Sequence, residues 1–216
     1  MDYFPILIKL AGRRVLVCGS NDEAVFKIRL LLKSSAEIVV FGTPTKKHIT
    51  RWSEKGLIQY NNRLVEERDC NNIAFAYVTL KKGTERNATL RVLSKKTIPY
   101  CVVDDKLHSN FITPSIVDRN PVTVAIGSEG TAPALVRHIK AQIENILPQQ
   151  TGLVARIAGA FRPYVYRLPN SHTRRHFWTR FFNQVKSQIF FQSSVQDLET
   201  TLKNKLHNLL KSEKNF

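Results

Sequence analysis

The sequence predicts an α/β protein in which a parallel sheet wound with helices gives way to an antiparallel hairpin and then to a helical carboxyl-terminal region. Three observations carry this. Over residues 1–100, short β-rich apolar runs alternate with stretches of helical spacing, the rhythm of βαβ units with right-handed crossovers. Residues 99–133, PYCVVDDKLHSNFITPSIVDRNPVTVAIGSEGTAP, read as a strand ending in two carboxylates, a hairpin, and a small-residue loop opening a helix. From residue 151 onward the apolar residues keep helical spacing.

Taken in order, residues 14–18 form a short apolar strand, and 24–32 a helix with Lys27 and Arg29 on its polar side. Residues 37–41 are a second strand, 46–55 a helix, 58–60 a weak third strand and 73–79 a firmer fourth. A helix over 85–94 leads to a strand over 98–103, which would leave Asp104 and Asp105 at its carboxyl end. The hairpin strands lie at 115–117 and 122–126. Asp118-Arg119-Asn120 supplies the turn, because Asp and Asn bond their own backbone. Pro121 begins the return strand, since it has no N–H for the ladder. Thr131 is placed to cap a helix over 133–147 that Pro148 ends. Three helices follow, over 151–162, 172–187 and 195–212, with SQIFFQSS as the break between the last two.

Composition narrows the classes. A chain of 216 residues buries a real core, and no apolar run approaches the roughly 18 residues that span a bilayer. The amino terminus, MDYFPILIKLAGRR, has an acid at position 2 and no basic n-region, so it reads as a poor signal peptide. Cys18, Cys70 and Cys101 lack metal-ligand spacing and suit reduced thiols in a cytosol. The net charge of +16 is less ordinary. Residues 151–216 hold 11 Lys/Arg against 3 acids. Nucleic acid, an anionic membrane surface or a polyanionic small molecule would each answer to it, although such a surplus is more often a solvated surface.

Three places carry candidate chemistry. Gly19-Ser20-Asn21-Asp22-Glu23-Ala24 lies between a strand and a helix, the place of the G-x-G-x-x-G/A fingerprint of a Rossmann-like sheet. Gly19 makes the tight turn and Ala24 lets helix and strand approach. Asn21 stands where a second glycine would admit the pyrophosphate, and its side chain is expected to crowd that path. No acid near position 41 is available for a ribose hydroxyl. From this loop alone, dinucleotide binding and a plain strand-to-helix turn both stand. Asp104 and Asp105 point to opposite faces if the strand runs through them, so they are no ready-made carboxylate pair. One acid serving acid/base work while the other is solvated, and two acids in a plain strand-end turn, both stand. Gly127-Ser128-Glu129-Gly130-Thr131-Ala132 precedes a helix whose N–H groups favour an anion, with Glu129 opposing, and an ordinary glycine-rich connection stands beside that reading. The six histidines are dispersed and read as surface residues. Phe177, Trp178, Phe181 and Phe182 read as the packing face of an amphipathic helix.

The segments MDYFPILIKLAGRRVLVCG, AVFKIRLLLKSSAEIVV, VVDD, SNFITPSIVDRNPVTVAIGSEGTAPALVR and RRHFWTRFF resemble the precorrin-2 dehydrogenase/sirohydrochlorin ferrochelatase family, over about residues 1–185. This module stands alone in some organisms and forms the amino-terminal half of siroheme synthase in others. The resemblance implies a Rossmann-like NAD-binding domain over 1–113, a dimerisation segment over 114–150 and a helical basic domain over 151–216. It implies a homodimer in which NAD takes a hydride from precorrin-2 to give sirohydrochlorin, with Fe2+ insertion in many members. The implied catalytic residue is Asp104, assisting proton removal. Implied cofactor contacts are Gly19, Ser20, Asn21, Asp22, Glu23, Thr43, Pro44 and Thr79, and implied substrate contacts are Ser128, Gly130 and Thr131. A substrate ringed by carboxylates suits a basic protein.

The departures from the family pattern fall on the NAD side. A triple-glycine loop has become Gly19-Ser20-Asn21, a Thr followed by Asp or Asn has become Thr79-Leu80-Lys81, and the Asn that opens Asn-Val-Val-Asp is Cys101. One alternative is therefore a chelatase or tetrapyrrole-binding protein with weak dinucleotide affinity. Another is a basic nucleic-acid-binding protein using Arg174, Arg175, Arg180 and Lys186 on phosphates, for which no recognised motif speaks. No membrane partner and no resident metal are expected.

Overall fold

The computed structural model describes residues 2–43, 46–191 and 195–214, in two compact units, Met1–Thr113 and Pro114–Phe216. The first unit is a five-stranded parallel sheet in the order β3-β2-β1-β4-β5. Its strands are β1 (Arg14–Cys18), β2 (Glu37–Phe41), β3 (Gln59–Asn61), β4 (Ile73–Val78) and β5 (Tyr100–Val102), wound with helices α1 (Asp22–Leu31), α2 (Lys47–Glu54) and α3 (Thr84–Lys95). Val15, Leu16 and Val17 on β1 are all fully buried, and every residue of β4 is buried. Burial on both faces explains why these strands read as continuous apolar runs rather than as alternation.

Strand order reverses between β1 and β4, which makes the space over their carboxyl ends the switch point of a doubly wound sheet. The last strand is shorter than the pattern suggests. Ile98 instead closes the end of α3 through its N–H to Leu93 O (3.0 Å), and Pro99 has no donor. Past Val102 the chain turns, with Asp105 N–H on Val102 O at 3.2 Å.

The second unit opens with an antiparallel hairpin, β6 (Ser115–Arg119) and β7 (Val122–Ile126), followed by α4 (Pro133–Ile146), α5 (Thr151–Val165), α6 (Ser171–Phe191) and α7 (Val195–Lys214). The first hairpin strand runs two residues beyond the expected 117, so the turn is Asn120-Pro121 alone, with a cis bond between them. Asp118 still serves it, its carboxylate accepting from Asn120 N–H at 3.0 Å. Arg119 is buried, and its guanidinium donates to Leu147 O (2.8 Å) and Glu144 O (3.3 Å), satisfying carbonyls that the end of α4 leaves open. Gly152 lets α5 meet this turn. A Cβ there would lie 2.3 Å from Asn120 O and 2.4 Å from Arg119 O.

Helix α5 continues through Pro163, losing one N–H, and Tyr166 N–H resumes the ladder on Arg162 O at 3.0 Å. Helix α6 likewise runs through Phe191, beyond the start of the expected break, whose remaining residues 192–194 lie outside those described. Phe161, Phe177, Phe181, Leu198, Leu202 and Leu206 form the core of the three-helix assembly, whereas Phe182 stays exposed. Helix α4 contrasts with them: although strongly amphipathic, it has no buried residue, and Leu135 (55%) and Ile146 (71%) are open. Thr131 does not cap it. Ser128 Oγ accepts from Ala132 N–H (3.1 Å), and Thr131 donates back to Ser128 O (2.5 Å), across Glu129 and Gly130 at positive φ. Among the described residues no helix is long and apolar enough to cross a membrane.

Candidate functional site

The carboxyl ends of β1, β4 and β5 surround a cleft of about 490 Å3 in the first unit, lined among others by Asn21, Asp22, Glu23, Thr79, Asp104 and Asp105. The loop that leads into it depends on one glycine. Gly19 has φ +126°, and a Cβ on it would come within 2.1 Å of Thr79 Oγ1 and 3.2 Å of the Thr79 carbonyl carbon. Only glycine lets the β1–α1 loop lie this close to the end of β4.

Asn21 occupies its position differently from the sequence expectation. Its backbone is extended (φ −85°, ψ −171°) and needs no left-handed angles. Its carboxamide is held by the protein at both ends: Oδ1 accepts from Ala24 N–H (3.1 Å), and Nδ2 donates to Thr79 O (2.8 Å). It is thus the N-cap of α1 and a strut to β4. Asp22 and Glu23 in the first turn complement the positive end of the helix. The backbone N–H groups of Asp22 and Glu23 have no protein acceptor among the described residues, which leaves two donors at the cleft for an anion. Those donors fit a dinucleotide pyrophosphate; the two acidic side chains oppose it.

The structure separates the two neighbouring aspartates. Asp105 is the anchored one. Its carboxylate pairs with the buried guanidinium of Arg86, accepts from His108 N–H (3.3 Å), and meets His108 Nδ1 at 2.9 Å. His108 and then Arg86 hold its carboxyl at about 2. Asp104 is exposed at φ +57°, a left-handed backbone that aspartate tolerates better than most residues. It makes no hydrogen bond or ion pair among the described residues. Ser109 fixes the turn that presents it, accepting from Val102 N–H (2.9 Å) and donating to Asp105 O (2.7 Å). Behind the turn, Lys27 donates to Thr113 Oγ1 (3.3 Å) and lies 4.8 Å from the centre of the Tyr77 ring. Burial makes Lys27 less basic than usual, while Cys101 and Asp104 partly oppose this.

The Asp105 carboxyl titrates lower folded than unfolded, so its contribution to stability is complete above about pH 4 and vanishes as pH falls through about 2. Asp105→Asn should therefore lower the thermal midpoint at pH 7 and flatten its fall between pH 4 and 2, as scanning calorimetry at stepped pH would show.

Of the other sequence candidates, Ser20 is buried beside Gly19, and Thr43 is exposed just after β2. Pro44 lies outside the described residues. Ser128, Gly130 and Thr131 belong to the second unit, in the turn before α4. Sequence reasoning missed Lys46, Lys82 and Arg86 as cleft residues. Lys46 reaches Asp22 at 2.9 Å. A basic residue one turn into α3 gave no local sign that it would pair with an acid 19 positions later.

Comparison with known proteins bears on the whole chain. A family model described as "Putative NAD(P)-binding" matches residues 6–115, and one described as "Sirohaem synthase dimerisation region" matches 150–206. The siroheme synthase of Vesicomyosocius okutanii is 31% identical over 99% of this chain and 46% of its own length. That of Photorhabdus laumondii is 33% identical over 95% and 44%, and one from Neisseria meningitidis is 36% identical over 85% and 38%. The chain thus spans less than half the length of these relatives. Among solved structures, "SirC, precorrin-2 dehydrogenase" shares the fold, with a TM-score of 0.64 at 20% identity, covering 99% of this chain and all of its own. Two family models in the order of the two folded regions, with curated relatives that match nearly the whole of this chain, settle its kinship: the chain belongs to the precorrin-2 dehydrogenase/sirohydrochlorin ferrochelatase family.

Proposed function

We propose that this protein oxidises precorrin-2 to sirohydrochlorin with NAD as hydride acceptor. The observation that carries the reading is the exposed carboxylate of Asp104 at the switch-point cleft, which makes no hydrogen bond or ion pair among the described residues, beside a helix start with two open N–H donors. In this scheme Gly19 and Ser20 shape the loop, and the N–H groups of Asp22 and Glu23 hold the pyrophosphate. Asn21 keeps that loop fixed against Thr79, and Thr43, just after β2, borders the adenosine side. When bound, NAD would accept the hydride; the substrate must also release a proton, and Asp104 is placed to take it. Asp105 stays charged and paired, holding the turn while Asp104 cycles between its two states. Ser128, Gly130 and Thr131 are assigned to substrate contact.

Supporting the reading are the siroheme synthase relatives and the NAD(P)-binding family match. Anaerobic conversion of precorrin-2 with and without NAD, followed optically, tests it: NAD-dependent sirohydrochlorin formation is expected, and none from folded protein would overturn it. The capped, acidic start of α1 favours one second reading, a module that inserts Fe2+ into sirohydrochlorin without oxidising precorrin-2. Iron insertion in the absence of any NAD-dependent turnover would establish that reading.

We further propose a three-part organisation, 1–113, 114–150 and 151–216, in which the middle part and its open apolar face meet a second copy of the chain. Helix α4 has no buried residue and exposes Leu135 and Ile146. Light scattering should give a dimer, and Leu135→Glu should shift it towards monomer, because a carboxylate cannot be buried unpaired. A dimer unmoved by that change would place the interface elsewhere, with residues 150–206, which the dimerisation-region model matches, the next to test.

A further inference from the structure

The cleft contains four basic side chains, and they are not equivalent. Lys46 reaches Asp22 at 2.9 Å, and the buried Arg86 is paired with Asp105. Lys81 and Lys82 are exposed cleft residues that form no ion pair or hydrogen bond among the described residues. Both lie after Thr79 and Leu80 in the connection from β4 to α3, which Gly83 closes at φ +155°. They share the β4–β5 side of the crevice with Asp104, whereas the open N–H donors of α1 serve its centre.

In a doubly wound sheet a dinucleotide lies across the crevice with its adenosine ribose towards the end of the second strand. The β4–β5 side is left to the reacting end of the coenzyme and to the substrate. The pyrophosphate has its own donors at α1, so two free ammonium groups beyond β4 answer to a different anion. We propose that Lys81 and Lys82 are specificity residues that dock peripheral carboxylates of the substrate, placing its reacting carbon beside Asp104. This rests on the proposed oxidation of a polycarboxylate tetrapyrrole, and it assigns which cations of a strongly basic protein recognise that substrate. A lysine ammonium is a mobile point charge, suited to flexible acetate and propionate arms.

The test is the double variant Lys81→Glu/Lys82→Glu beside Lys81→Gln/Lys82→Gln. Both positions are exposed, so unchanged thermal midpoints are expected. Uroporphyrin I, with eight carboxylates and no reaction available here, serves as a binding probe by fluorescence quenching, with NAD titrated calorimetrically in parallel. The Glu pair should weaken uroporphyrin about tenfold or more and the Gln pair less, with NAD affinity unmoved and the salt dependence of porphyrin binding reduced. In turnover the KM for precorrin-2 should rise while kcat at saturation holds. Loss of NAD affinity instead would assign the lysines to the coenzyme and overturn the proposal, as would porphyrin binding indifferent to both variants. Lysine-dependent porphyrin binding by a protein that does not oxidise precorrin-2 would uphold the docking site and overturn only the oxidation reading.

Discussion

Asp104→Asn is expected to lower kcat for precorrin-2 oxidation by about 10²- to 10⁴-fold, the usual loss when a positioned proton acceptor is removed. Asparagine is the informative replacement. It keeps the size of the side chain and tolerates the left-handed backbone that Asp104 adopts at φ +57°, but it cannot take a proton. Because Asp104 is exposed and makes no ion pair or hydrogen bond among the described residues, the fold has little to lose, and the thermal midpoint should stay within about a degree or two. Asp104→Ala should match it in rate while losing slightly more stability at the positive φ. Asp105→Asn reverses the pattern, since its carboxylate holds Arg86 and His108 and disturbs the turn when removed. If Asp104→Asn keeps wild-type turnover, proton removal belongs to another group.

Gly152→Ala should cost the second unit about 1–3 kcal/mol, as overpacking against an unyielding neighbour does. Helix propensity argues the other way, favouring alanine over glycine by about 1 kcal/mol in a helix interior. Sterics decide, because the new methyl would stand 2.3 Å and 2.4 Å from two backbone carbonyl oxygens. Those oxygens cannot swing aside as a side chain would. Asn120 O also accepts from Arg156 at 2.7 Å, and Arg119 is tied to the end of α4. Helix α5 must therefore lift off the hairpin, or the hairpin must give up its hold on α4. Gly159→Ala on the same helix is the control, with nothing within 4 Å of its added methyl, and it should stabilise by a few tenths to about 1 kcal/mol. Chemical denaturation of the two variants side by side would separate them; a Gly152→Ala protein as stable as wild type would contradict the close approach.

What the sequence reveals here follows from how local each cause is. The buried runs of β1 and β4, the glycine at 19 and the helix after Thr131 are legible because each depends on residues within a few positions. The role of Asn21 is not, since its second bond reaches Thr79, 58 positions away. The same holds for the aspartate pair: adjacency suggests two similar acids, and only the arrival of Arg86 from α3 makes one structural and the other free. The hairpin is mistaken by two residues because turn propensity at Asp118 and Arg119 yields to cross-strand pairing, with Arg119 opposite Val122. Thr131 is drawn away from capping by its nearer acceptor, Ser128 O.

The two-ended hold on Asn21 also sets a local clock. Amide protons exchange with solvent when their bonds open, so neighbours in one helical turn are expected to differ. Ala24 and Val25, bonded to Asn21 through its side chain and carbonyl, should exchange slowly in the free protein. Asp22 and Glu23, whose N–H groups have no acceptor among the described residues, should exchange almost as fast as an unfolded peptide. Added NAD should then slow the second pair and leave the first untouched, so mass spectrometry of exchange over one turn would read coenzyme contact against a built-in reference.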